Sequence, residues 1–345
     1  MPENFLRNTF KIPRPMNWGY PILFASIGTG LAIGIRGVAM SGETTYSSTS
    51  LVGYALYMPL FILLAFIAPS ALLLRDKQKL DGFSQIPSNV AIGDYSGIGP
   101  LILAFLSGVP LMLIKSALHN LVVYAVLKSA NPIVFPLFFC YNESDSVRST
   151  VLEVISDTVI PGIGMCVFFY GVIWSSFKVR NYRIALLIIP VLYAIFSFNP
   201  IDFAALLIVG WWLTVVRRDA GNIWGPFSAL VGCKISEMVL NETIPTVDIT
   251  EVRTYSDVSV KYFYSSVPSI FVAIILFGFF FRVLNEFYIT RHNSIYGDNL
   301  EASEAAIERK DKSLATVISG FNIPLILGLI GVFVIWYLIL TGNRI

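Results

Sequence analysis

Seven ionisable residues interrupt otherwise apolar stretches of the chain: Arg36, Lys115, His119, Glu153, Asp157, Lys234 and Glu237. Glu153 and Asp157 are four apart, as are Lys115 and His119, while Lys234 and Glu237 are three apart. At helical spacing each pair shares one face. In a membrane-spanning segment such groups are costly, at least ~2.5–3.5 kcal/mol for a charge at the bilayer centre, so they usually face a partner or water. Two acidic and two basic faces predict a network of ion pairs joining helices, or a path for a proton or small solute. The alternative is that the longer side chains snorkel to the outer interface. For Lys234 the expected partner is Glu237 on the next turn, or Glu153 or Asp157 from another helix.

Other chemistry is sparsely represented. Cysteine occurs at Cys140, Cys166 and Cys233, and histidine at His119 and His292. The spacing offers no C-x-x-C, hence neither a disulfide framework nor a zinc site. There is no H-E-x-x-H, Walker loop or serine elbow. No metal and no cofactor is expected. A net charge of +2 gives no footprint for nucleic acid.

The elements that must position these residues are apolar helices. Of 345 residues, 55% are hydrophobic and 13% charged, with a mean hydropathy of +0.71. Soluble domains carry roughly 25% charged residues, so the polar groups are too few to coat a soluble globule. Runs of ~17–25 apolar residues can each cross the hydrocarbon as a helix, the fold that satisfies its own backbone. Nine spans are expected: 18–40, 51–74, 98–127, 150–177, 183–199, 202–217, 223–240, 267–285 and 316–341. The fifth and sixth, joined through Asn199 and Pro200, read as a tight hairpin. The fold class is therefore all-α, a polytopic membrane helical bundle. Residues 1–149 hold spans one to three and their loops. Residues 241–345 hold an outer loop, span eight, a cytoplasmic helical segment within 286–315, and span nine.

Basic residues alternate between loops. Arg7, Lys11 and Arg14 precede span one. Arg75, Lys77 and Lys79 follow span two, and Lys178, Arg180 and Arg183 follow span four. Arg217 and Arg218 follow span six, and Arg282, Arg291, Arg309, Lys310 and Lys312 lie between spans eight and nine. By the positive-inside rule these loops are cytoplasmic. The N-terminus is then cytoplasmic, the C-terminus is outside, and all seven intramembrane charges fall in the outer half. The outer loop 241–266, with β-branched residues among its charges, predicts a short hairpin. The apolar patch from Ile133 to Phe139 reads as re-entrant or interfacial. The expected location is an integral membrane, a bacterial plasma membrane being favoured over a eukaryotic endomembrane. Asn142-Glu-Ser and Asn241-Glu-Thr are glycosylation sequons that matter only in the latter.

Within 155–240 the pattern becomes more specific. It opens Ile155-Ser-Asp-Thr-Val-Ile-Pro-Gly-Ile-Gly-Met-Cys-Val-Phe-Phe-Tyr-Gly and continues Leu192-Tyr-Ala-Ile-Phe-Ser-Phe-Asn-Pro-Ile-Asp-Phe. It closes Gly210-Trp-Trp-Leu-Thr-Val-Val-Arg-Arg-Asp-Ala-Gly-Asn-Ile-Trp-Gly-Pro. In order and spacing these pieces resemble the core of the CPBP family, the CAAX-prenyl-protease and bacteriocin-processing intramembrane proteases. That family carries E-E-x-x-x-R-G, then F-x-x-x-H followed by Asn-Pro, then a glycine-rich helix and a basic turn. The resemblance implies a four-helix core over 150–240.

It also implies a lost active site. Met165 and Cys166 stand at the glutamate pair and Tyr170 at the arginine. Ser197 stands at the first histidine, Leu230 at the second, and Lys234 at the asparagine four residues on. Intramembrane proteolysis needs a base to activate water and donors for the oxyanion, which Met, Leu and Cys do not supply as a carboxylate–imidazole pair would. The implied function is a non-catalytic, protease-like scaffold. Its helices would hold a partner transmembrane helix or a lipid-like chain, so its partners are membrane lipid and another integral membrane protein. The alternatives are an unusual intramembrane protease using Ser197, Tyr170 or Cys166, and a small-solute transporter using the outer charges. Cysteines introduced into 41–50 and 241–266 should react with an impermeant maleimide from outside, and labelling of either loop solely from the cytoplasm would refute the assigned topology.

Overall fold

The computed structural model describes residues 19–40, 59–73, 97–129, 131, 133–134, 154–174, 182–240, 243–247, 249, 260–296 and 323–341. Among these residues the fold is all-helical, 88% helix without strands. Among the described residues there are nine helical rods, one of them broken. They are α1 (Gly19–Met40); α2 (Pro59–Leu73); α3 (Ile98–Leu106) and α4 (Gly108–Lys128), the two halves of the broken rod; and α5 (154–174). The rest are α6 (Tyr182–Ile195), α7 (Phe203–Ala220), α8 (Trp224–Leu240), α9 (Val260–Tyr296) and α10 (Ile323–Leu340). Among the described residues three stretches are long and apolar enough to cross a membrane: Ile98–Lys128, Val260–Thr290 and Ile323–Leu340. Gly19–Ile35, Pro59–Leu73, Ile160–Ile173 and Ile184–Ile195 are shorter apolar helices.

Local sequence explains the boundaries. Pro110 lacks an N–H and crowds the carbonyl four residues earlier, and the chain breaks just there, at Ser107, between α3 and α4. Gly221 ends α7 in the left-handed region, φ 77°, and its N–H returns to the Arg217 carbonyl at 3.0 Å. That is the conformation glycine adopts at least cost. Asn222 then caps α8, its Oδ1 accepting from the Gly225 N–H at 3.1 Å.

The helices approach closely where glycines face one another. A Cβ on Gly232 of α8 would collide with the Phe105 carbonyl of α3, and one on Gly108 would collide with the backbone of Gly232 and Cys233. Small residues permit such approach where dispersion, not the hydrophobic effect, holds helices together. A similar seam joins α10 to α1, with Gly328 against the Leu23 backbone and Gly331 against Ser26. One main apolar cluster runs through these contacts, including the aromatic group Phe66, Phe168, Phe169 and Phe196. A second, smaller cluster gathers Val123, Leu127, Ile201, Val247 and Ile249.

Several expectations need adjusting. Residues 260–266 belong to α9, not to a hairpin. Ser266 and Ser269 bond back to the carbonyls of Tyr262 and Ser265, and Ser266, Ser269, Ala273, Phe280 and Leu284 form one buried stripe of helical period. The same helix continues to Tyr296, past the span end expected at 285; the cytoplasmic helix expected from the Glu301–Lys312 stretch lies outside the described residues. Thirty-seven residues at ~1.5 Å each give a rod of about 55 Å, far more than hydrocarbon thickness requires. Ile133 and Val134 pack against the two apolar clusters, while 135–139 lie outside the described residues. Arg217 and Arg218 lie in the last turn of α7, not in a loop.

Gly232→Leu should lower the detergent melting temperature by several degrees, because α3 and α4 must separate from α8. An unchanged melting temperature, read by tryptophan fluorescence, would show that the close crossing is dispensable.

Candidate functional site

Of the seven charges set in apolar stretches, four have described side chains: Lys115, His119, Lys234 and Glu237. Glu153 lies outside the described residues, and of Arg36 and Asp157 only the backbone, in α1 and α5, is described. Three of the remaining four converge beside a residue that the charge pattern does not single out, Asp202. It stands immediately before α7, where an N-cap would. Yet its carboxylate caps nothing: it turns across to α4, where His119 Nδ1 donates to Oδ1 at 2.7 Å. The other oxygen accepts from Asn199 Nδ2 at 2.8 Å, and Asn199 Oδ1 accepts from the Asp202 N–H at 3.1 Å. The signal available in sequence is the Asn199-Pro-Ile-Asp202 run. An Asx residue three positions before an acid at a helix start folds the turn back on itself.

His119 is engaged at both ring nitrogens. Nε2 donates to the Val247 carbonyl at 3.0 Å, so both positions face acceptors, an arrangement that fits a doubly protonated ring. One residue on, Asn120 takes both sides of the following backbone. Its Nδ2 donates to the Pro245 carbonyl at 3.1 Å and its Oδ1 accepts from the Val247 N–H at 2.8 Å. The segment after α8 is thereby strapped to α4 by two adjacent side chains. Asn120 is another residue the charge pattern passes over, since a single buried amide has no sequence signature.

A turn earlier on α4, Lys115 Nζ meets Glu237 Oε2 of α8 at 3.4 Å. This pair is looser than the first and half-exposed, 35% and 27% against 11% and 13% for His119 and Asp202. Lys234, one turn before Glu237 on α8, is half-buried and does not line the space between the pairs. Between the two pairs lies a cavity of ≈ 240 Å³ lined by Lys115, Ser116, His119, Asp202, Glu237 and Thr246, among others. Thr246 Oγ1 donates to Ser116 Oγ across it at 3.2 Å.

The positions picked out by the protease resemblance lie elsewhere, and none of them lines this cavity. Met165 and Leu230 both pack against the main apolar cluster, and Cys166 and Tyr170 are buried within it. A Cβ on Gly162, in α5, would touch the Leu230 side chain of α8, so these two helices do face one another near Met165. The Tyr170 hydroxyl donates to the Gly210 carbonyl at 3.4 Å. Ser197 Oγ donates to the Ala194 carbonyl at 2.6 Å.

Tyr170 also sits in a wide, π-type stretch of α5, Cys166–Ile173. The Trp174 N–H, which would serve the Tyr170 carbonyl in an α-helix, goes instead to Phe169 and Gly171. Arg217 Nε, from the wholly buried end of α7, donates to the Tyr170 carbonyl at 2.6 Å, and its guanidinium lies 5.9 Å over the Trp174 ring. Arg217 thus closes a backbone gap that the π winding opens. Beside it Arg218 binds Asp219, reaches Asn285 at 3.3 Å, and stacks on Phe281 and Tyr288 of α9.

Among the described residues no group of three or more metal-ligating side chains gathers. The chain matches no protein-family model, no curated protein and no solved structure.

Removing one member of a buried ion pair strands the other, at ~3–5 kcal/mol. His119→Leu should therefore destabilise the protein in detergent strongly, and His119→Leu with Asp202→Asn should recover part of the loss. A double variant as unstable as the sum of the two single ones would mean that the pair is not coupled.

Proposed function

We propose that this chain is a multi-pass membrane scaffold with a core like that of the CPBP proteases, one that holds a partner helix or lipid-like chain without cutting it. The observation that carries the reading is the commitment of the side chains at the protease-like positions. Ser197 and Tyr170 donate to backbone carbonyls, Cys166 is enclosed in an apolar cluster, and Met165 and Leu230 pack against the same cluster. A nucleophile needs an adjacent base, and these hydroxyls face carbonyl oxygens instead.

The outer helices support the binding half of the reading. Of their most apolar windows only 22% of α9 and 28% of α10 is buried within the chain. Each shows one narrow inward stripe, and the rest of the surface carries large apolar groups such as Phe271, Ile275, Phe333 and Tyr337. In a membrane this surface meets lipid or another helix.

A photoreactive residue at Ile275 should give one stoichiometric adduct with a defined membrane protein, and the purified chain should leave a panel of transmembrane peptides uncut. Lipid adducts alone would remove the partner helix, and reproducible peptide cleavage would remove the non-catalytic reading.

A further inference from the structure

The cleft between α4, the end of α8, the turn before α7 and the segment after α8 is built unevenly. On one side the His119–Asp202 pair is well bonded: each ring nitrogen has an acceptor, and each carboxylate oxygen a donor. On the other side the bonding capacity is largely unused. Among the described residues Lys115 uses one of its three N–H donors, and Glu237 accepts at Oε2 alone. Their 3.4 Å contact is long for a charge-assisted bond, and both are partly exposed. The Ser116 and Thr246 hydroxyls add exchangeable donors and acceptors on the same wall. A cavity of ≈ 240 Å³ is also larger than one ordered water requires.

Charge balance narrows what could enter. Two carboxylates face one ammonium and one imidazole in the bonding pattern of its charged form, so the cleft sums to about neutral. A ligand of net charge would unbalance it, whereas one carrying both signs could replace the Lys115–Glu237 contact by two better ones. Position narrows it further. The cleft lies between the main apolar cluster and the small one formed by Val123, Leu127, Ile201, Val247 and Ile249. It lies where α8 is about to end and α7 begins. Around Glu237, α8 exposes Ile235, Met238 and Val239, the last at 71%; Ile235 and Val239, two residues either side, project from the face of α8 turned away from Glu237. A polar layer at the end of a helix whose outer face is bare and apolar is the setting of a lipid headgroup whose chains run along the outside of the bundle.

We propose that this cleft binds a zwitterionic group, its anion on Lys115 and the Ser116 and Thr246 hydroxyls and its ammonium on Glu237, as in a phosphoethanolamine headgroup. The inference rests on the membrane reading above but not on a partner helix or on the absence of proteolysis. No covalent step is involved.

The full chain in detergent would be titrated with short-chain phosphatidylethanolamine, with glycerophosphoethanolamine, and with short-chain phosphatidylglycerol, with bound molecules counted by native mass spectrometry. The ethanolamine lipid should be retained at one per chain, and at least tenfold more tightly than the glycerol lipid. Lys115→Met with Glu237→Gln, which removes both charges and strands neither, should abolish that preference. If that variant fails to purify, Thr246→Val, which deletes one hydroxyl, must weaken retention several-fold. Equal retention of glycerophosphoethanolamine would support the same site with a free zwitterion as occupant. Equal retention of the two lipids, no retention of either ethanolamine compound, or an unchanged preference in the double or the Thr246 variant would overturn the proposal. A failed crosslink at Ile275 beside intact ethanolamine binding would fault the scaffold alone.

Discussion

An apolar interior offers no water to a polar group, so every donor and acceptor inside these helices must be met by another part of the chain. Much of the structure follows from that demand. Trp212 donates its ring N–H to Ser107 Oγ at 2.9 Å, and the Ser107 hydroxyl donates in turn to the Ala104 carbonyl. The break between α3 and α4, which Pro110 causes, is thus also where α7 is held. Arg217 is the extreme case. A fully buried guanidinium is tolerable because α5, wound too wide, leaves a carbonyl for it. The π winding and the buried guanidinium thus meet one another's bonding needs.

The second constraint is distance. Two helices can exchange backbone-level contacts only where side chains are absent, which is why Gly108 and Gly232 meet at the crossing of α4 and α8. That crossing has a consequence seven residues further along α4 and five further along α8, where Lys115 meets Glu237. Axes this close keep the two charged side chains within reach, so the glycine contact positions the ion pair. Spread the axes by one methyl layer and Lys115 would have to extend past its 3.4 Å contact into open space.

What sequence made legible was the apolar architecture. The rods Gly19–Met40 and Trp224–Leu240 fall within one residue of the spans read from hydropathy at 18–40 and 223–240. Charge spacing also singled out Lys115, His119 and Glu237, which the fold brings to one cavity. It did not foresee their partners, because pairing depends on which helices adjoin, and hydropathy is silent about adjacency. Asp202 looked like an ordinary helix start. Its carboxylate turns away only because α4 brings His119 there. Arg217 was read as a loop cation, since a positive-inside count treats every arginine near a span end alike. Burial of its guanidinium needs the π winding of α5, and no propensity scale predicts that winding from Cys166-Val-Phe-Phe-Tyr-Gly-Val-Ile.

The two polar layers also define a direction. α7 starts at Asp202, clasped to α4, and ends at Arg217 and Arg218, clasped to α5 and α9. It is therefore fixed at both ends by charges, and between them by the Trp212 bond to Ser107 and the Trp212 ring against Phe277 of α9, 4.7 Å between centroids. A helix pinned at three levels cannot slide along its axis by the one-turn steps that apolar packing alone would allow. Its neighbour α8 is attached differently. It is closely packed at Gly232 and capped by Asn222 at its start, but its last turn is tied to α4 by the loose Lys115–Glu237 contact. Any group that displaced that contact would act on the last turn of α8, which the Asn120 and His119 bonds to Pro245 and Val247 hold to α4 from just beyond it. The exchangeable contact therefore sits between two fixed points, the Gly232 crossing and that strap, so its replacement needs side chains to move and not helices.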